Sequence, residues 1–254
     1  MAGYVELPGV RAWYDDRGDG EPLLMLHGGM TDSRCFAGNF DAMGEHFHAY
    51  TPDRRGHGRT PDVEGPLTAE AMVEDTVDFL RKVIGGPAHV VGYSAGALVA
   101  ILLALREPSL VRQLVLVSGF IDHDGMVAGT RPDPNMEFPP VIRQAYAEVS
   151  PDGPEHFDVV AAKTLALMGQ PTGIAMADLA GIASRTLVMA GDDDIVTAEH
   201  SLALSRTIPN AELAVIPGAT HMLLMEKPAL CNAMMLDFLT KPPAPTFMPI
   251  RRAS

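Results

Sequence analysis

Val90-Val91-Gly92-Tyr93-Ser94-Ala95-Gly96 is the stretch on which the reading of this chain turns. It reads as a buried strand, a one-residue corner and the first turn of an apolar helix. Gly-x-Ser-x-Gly is the nucleophile-elbow pattern, in which a strained strand-to-helix turn lifts the serine hydroxyl above the sheet edge. A side chain at 92 or 96 would collide with the crowded backbone of so tight a turn. Ser94 would then sit at a helix N-terminus, where backbone N–H groups face any oxyanion formed beside it. The local context fits: His89-Val90-Val91 is a short apolar run, and Ala97 to Leu105 is helix-forming and apolar throughout. Taken alone, the same residues also describe a glycine-bounded turn carrying a solvated serine.

Outward from the elbow, strands and helices alternate. Tyr4–Leu7 and Val10–Tyr14 predict a hairpin turned at Pro8-Gly9, followed by a polar turn over Asp15–Glu21. Leu23-Leu24-Met25-Leu26 is wholly apolar, as a strand covered on both faces should be. It stops at His27-Gly28-Gly29-Met30. His48–Asp53 predicts a further strand, and Thr68 caps a helix running to about Ile84. Gln113–Val117, Thr186–Ala190 and Ala211–Ile216 predict strands, Ala198–Thr207 a helix, and Met222–Leu239 a last helix. Between 120 and 184 the alternation stops, prolines and glycines cluster, and two amphipathic stretches remain, Pro139–Val149 and Pro154–Met168. The expected architecture is α/β, a mostly parallel central sheet flanked by helices. Residues 1–119 and 185–240 form its core, 120–184 a small helical cap, and 241–254 a loosely held tail.

Composition narrows the partners. A formal charge of −13 and a pI near 5.0 argue against nucleic acid or an anionic membrane surface. Met1–Val10 shows no signal-peptide pattern, and the longest apolar run, Ala95–Leu105, is far short of the ~20 residues a membrane span needs. Cys35 and Cys231 are too few for a disulfide framework and read as free thiols, which suits a cytoplasmic setting. Asp122-His123-Asp124 has no accompanying ligand set, so no metal is expected.

A serine hydroxyl needs a base, and the base needs a group to orient it. His221 follows the strand 211–216 and lies on the same sheet edge as Ser94. A carboxylate is expected from Gly191-Asp192-Asp193-Asp194, directly after the strand 186–190. With these pieces assembled, the chain resembles the α/β-hydrolase superfamily, of the small-cap serine esterase or lactonase type. The matching residues are His27-Gly28-Gly29, Asp53-Arg54-Arg55-Gly56-His57-Gly58, Gly92-Tyr93-Ser94-Ala95-Gly96, Gly191–Asp194 and Gly218-Ala219-Thr220-His221. The resemblance spans about Tyr4 to Leu239.

The resemblance implies a triad of Ser94, Asp194 and His221, with Asp122 the fallback acid. It implies an oxyanion hole of Gly29 and Ala95, with Met30 as second choice to Gly29. His27 and His57 read as structural, the first fixing the oxyanion loop and the second a loop hydrogen-bonder. Expected substrate contacts are Met30, Tyr93, Phe120, Phe138, Ile142, Met222 and Leu223. No metal or organic cofactor is implied. The implied activity is cleavage of a small, mostly hydrophobic carboxylic ester through a Ser94 acyl-enzyme. Open beside it are a lactonase, a cofactor-free dioxygenase or haloperoxidase-like chemistry, and a non-catalytic ligand-binding protein. Arg34, Arg131, Arg143 and Lys163 are the cations that could meet a substrate carboxylate. Oligomeric state is unreadable from the sequence.

Overall fold

A computed structural model describes residues 2–133, 135–243 and 246–248. Its eight strands are β1 (Gly3–Leu7), β2 (Val10–Arg17), β3 (Pro22–Leu26), β4 (His48–Pro52), β5 (Ala88–Tyr93), β6 (Val111–Val117), β7 (Arg185–Asp193) and β8 (Ala211–Thr220). They form one sheet in the order β1-β2-β4-β3-β5-β6-β7-β8. The first three in that order pair antiparallel, and every pairing from β4 to β8 is parallel. The helices are α1 (Phe40–Gly44), α2 (Ala69–Phe79), α3 (Ala95–Arg106), α4 (Pro140–Val149), α5 (Phe157–Met168), α6 (Ala198–Thr207), α7 (Leu223–Glu226) and α8 (Pro228–Thr240).

The continuous apolar runs of the central strands are divided between two cores by the pleat. Leu24, Leu26, Val90, Leu114, Leu116 and Val188 face α2, α3 and α6. Their neighbours Leu23, Met25, Val91, Val115, Val117 and Met189 face α1, α7 and α8. Strands buried on both faces need apolar side chains at every position rather than at alternate ones. That is why these segments read as unbroken runs.

Three sequence expectations need correction. Asp15–Glu21 is not all turn: β2 continues to Arg17, pairing Tyr14 with Pro52 and Arg17 with Ala49, and an edge-side strand tolerates such polar residues. The last helix is two helices, interrupted at Lys227-Pro228, because proline has no N–H to continue α7 and opens α8 instead. The strand after 211 runs through Thr220, absorbing the predicted turn. The tail 241–254 lies largely outside the described residues.

Among the described residues between β6 and β7, every regular element is helical. Tyr146, Phe157, Val160 and Ala161 form a small apolar cluster of their own, onto which Met30 of the core packs. Polar contacts pin the same segment down: Lys163 Nζ meets Asp62 Oδ2 at 2.6 Å, and Arg34 Nη1 meets Glu148 Oε2 at 2.8 Å. The region over the sheet edge is therefore seated on the core at several independent points.

Candidate active site

The C-terminal ends of β3, β5, β6, β7 and β8 converge on one edge. At the end of β5 the chain turns within a single residue: Ser94 has φ 53° and ψ −118°, and its N–H donates to Val117 O at 2.9 Å. The flanking glycines are sterically required. A Cβ on Gly92 would lie 2.5 Å from Gly96 O, and one on Gly96 would lie 2.1 Å from Leu26 O. Both obstacles are backbone atoms, which cannot swing aside.

His221 follows β8 directly and points its ring at this corner. Its Nε2 is 2.9 Å from Ser94 Oγ, and its Nδ1 is 2.7 Å from Asp194 Oδ1. An Nδ1–H donating to the carboxylate leaves the Nε2 lone pair to accept from the serine hydroxyl. The Asp194 side chain is fully buried. Burial pushes its carboxyl up, but hydrogen bonds from His221 and Ser118 and the charge of His221 outweigh this, holding it below the usual carboxylate range. Asp192 instead accepts from Ala219 N at 3.1 Å, shaping the turn, and Asp193 is exposed. Asp122 accepts from Gly125 N at 2.8 Å as a local cap.

Two further residues touch this series of contacts. Ser118, at φ 49°, lies at the end of β6 and donates its hydroxyl to Asp194 Oδ2. Tyr93 is 3% exposed, and its hydroxyl donates to His221 O at 3.0 Å. Tyr93 was expected among the substrate contacts; its hydroxyl is instead committed to the His221 backbone and its ring to the core. Leu223 is corrected likewise, since as the first residue of α7 it is wholly buried in the core.

The turn after β3 supplies further polar groups. Gly29 lies against the start of α3, where a Cβ would be 3.7 Å from the Ala95 Cβ and 3.5 Å from Met168 Sδ. Met30 has φ 52°, a strained value for a side chain of its size. His27 holds this turn from below. Its Nε2 accepts from Arg54 N at 2.9 Å, and its Nδ1 donates to Gly28 O at 2.8 Å. Burial and the Arg54 charge push this imidazole well below its ordinary range, so it stays neutral. His57 is likewise buried, and burial with the Arg54 charge lowers it to about 4.

Two cavities lie near this edge of the sheet. The larger, about 570 Å³, is bounded by Ala95 and Phe120 and by Leu167 and Met168 of α5. The smaller, about 250 Å³, includes Met30 and Ile142. Ser94 borders neither; Ala95, the next residue, lines the larger one. Phe138 packs on the helical cluster over the sheet edge, and Met222 is partly exposed, with its Sδ 3.4 Å from the Tyr93 hydroxyl. Among the described residues, no group of three or more His, Cys, Asp or Glu converges as a metal-holding set.

A mostly parallel sheet with a serine at a strand-to-helix corner, in contact with an imidazole and then a carboxylate, defines the α/β-hydrolase class of fold and site. The chain belongs to the alpha/beta hydrolase family, whose sequence model matches residues 23–234. It is similar to (E)-2-((N-methylformamido)methylene)succinate hydrolase of Acinetobacter baylyi, 23% identical over 91% of this chain and 95% of that protein. Among solved structures it resembles a meta-cleavage product hydrolase from Pseudomonas fluorescens IP01. That match has a TM-score of 0.82 at 20% identity and covers 94% and 97% of the two chains. It also resembles Est816, an N-acyl homoserine lactone degrading enzyme, with a TM-score of 0.75 at 26% identity and coverage of 93% and 100%. No helix among the described residues is long and apolar enough to cross a membrane.

Proposed function

We propose that this chain is a serine hydrolase that cleaves a small, mostly hydrophobic carboxylic ester through an acyl-enzyme on Ser94. The observation that carries the reading is the unbroken contact series from Ser94 Oγ through His221 to Asp194. Ser94 Oγ attacks the ester carbonyl while His221 Nε2 takes its proton. Asp194, charged and buried, stabilises the imidazolium that results. His221 then gives that proton to the leaving alcohol. In the second half-reaction a water enters the same position, His221 deprotonates it, and the acid is released with Ser94 restored.

The tetrahedral intermediate's oxyanion needs two donors fixed in advance. Ala95 N–H, at the first position of α3, has no intrahelical acceptor available to it. Gly29 or Met30, in the turn pressed against α3, supplies the second. The larger cavity has apolar walls from Leu98 and Val99 of α3 and Leu167 and Met168 of α5, which suits an apolar acyl or alcohol group. Lactone opening is the second reading, favoured by the likeness to a lactone-degrading enzyme at 26% identity.

A panel of p-nitrophenyl esters and simple lactones tests both. Ester turnover that disappears in Ser94→Ala supports the proposal. Turnover that survives the substitution contradicts it.

A further inference from the structure

The four cations that could have met a substrate carboxylate are already paired. Arg34 is with Asp32 and Glu148, Arg131 with Asp124, Arg143 with Asp158, and Lys163 with Asp62. Arg54 differs from all four. It is 8% exposed and has no carboxylate partner among the described residues. Its Nη2 donates to Gly28 O at 2.7 Å, its Nη1 reaches only the thioether of Met72 at 3.3 Å, and its Nε is buried with no acceptor. Its neighbours His27 and His57 are neutral and offer no compensating charge. Burial lowers the guanidinium to about 10, which still leaves it charged at neutral pH.

A buried charge without a counter-ion is costly, and folds that retain one generally pair it with something. Arg54 lines the 570 Å³ cavity, on the wall shared with Ala69 and Met72 of α2. Ala95, Leu98 and Val99 of α3 line the same cavity with apolar side chains. The acidic residues on the cavity come from the segment after β6. Asp122 is tied to Gly125 N–H, and Asp124 is paired with Arg131 with its side chain 93% exposed. An anion in this cavity is therefore drawn toward the α2 wall and away from that segment.

We propose that Arg54 binds the anionic end of the substrate: an acyl chain with an apolar middle and a terminal carboxylate, whose ester carbonyl meets Ser94. This rests on the Ser94 reading and specifies its substrate class. The competing role for Arg54 is purely internal, holding the Gly28 carbonyl so that the turn after β3 keeps its shape.

The monomethyl esters of glutaric, adipic and pimelic acids, compared with neutral methyl esters of matched length ending in a branched alkyl group, separate the two roles. The quantity read is the ratio of kcat/KM for the charged ester over its neutral match. The wild type is expected to favour one charged ester by at least ~10-fold, and Arg54→Gln to lower that ratio by ~10–100-fold, mostly through KM, as loss of a buried charge partner should. Arg54→Lys, which keeps the charge, should retain part of the preference and serves if the glutamine variant does not fold. A wild-type ratio near one, or a ratio unchanged in both variants while both esters slow together, overturns the proposal. A second arm needs no turnover: calorimetric titration of Ser94→Ala with the same monomethyl esters, against Ser94→Ala/Arg54→Gln. Binding weakened at least ~10-fold in the double variant supports the anion site even if the ester chemistry is wrong. Equal binding, or none to either, overturns it.

Discussion

Three aspartates stand in a row at the end of β7, and only geometry separates their roles. Asp194 alone touches His221, while Asp192 shapes the neighbouring turn and Asp193 faces solvent. Asp194→Asn is therefore expected to cut kcat by roughly 10³–10⁴, since an amide can fix the wrong imidazole tautomer. Asp193→Asn should leave kcat within about twofold, and steady-state kinetics on the two variants checks the assignment. Ser118 belongs to the same network through Asp194 Oδ2. Removing its hydroxyl in Ser118→Ala takes away a hydrogen bond to a charged group, a loss of about 1.5–3 kcal/mol, or roughly 10–100-fold in kcat. KM should move little, and a large KM change with intact kcat would contradict this positioning role. The sequence made Ser94, His221 and the aspartate cluster legible because each follows a recognisable strand. It did not reveal the contacts of Ser118 and Tyr93, whose partners are set by the parallel register of β5, β6, β7 and β8. Nor did it distinguish Arg54, buried and without a counter-ion, from Arg55 beside it, which pairs with Asp75 at 2.6 Å.

At the scale of elements, the corner between β5 and α3 is the most constrained part of the chain. Gly96→Ala would drive a methyl group to 2.1 Å from Leu26 O. Neither strand nor helix can retreat, because both are packed into the same core. The variant should lose at least about 3 kcal/mol or fail to accumulate folded, as measured by urea unfolding. A stable, wild-type melting curve would mean the corner is looser than described. Apolar run length was a faithful guide to the strands covered on both faces, and Thr68 was a faithful guide to the start of α2, where its side chain accepts from Ala71 N. The guide failed where a tertiary contact overrode local character. The polar end of β2 became a strand by pairing with β4, and Pro228 broke an otherwise continuous helical pattern.

Across the whole molecule, the neutral histidines behind the site make acid stability a measurable property. His57 in the folded protein titrates at about 4 against an ordinary 6.5, because burial and Arg54 oppose its protonation. The unfolded chain takes up that proton below 6.5 while the folded chain resists it until about 4. Stability is therefore full above 6.5 and falls as pH drops through that window, by roughly 3 kcal/mol for this one ring. His27 acts in the same direction, and Asp53, raised by burial, acts in the opposite one. Urea unfolding at pH 7 and pH 5 should show a clear loss in the wild type and a smaller one in His57→Asn; identical losses would remove His57 from the account.

The central claim, that Ser94 is a nucleophile activated by His221, is tested most directly by intact-protein and peptide mass spectrometry after exposure to a fluorophosphonate. A single adduct on the peptide containing Ser94, absent in Ser94→Ala and formed far more slowly in His221→Ala, is the predicted result. An unmodified protein, or an adduct indifferent to both substitutions, would contradict it.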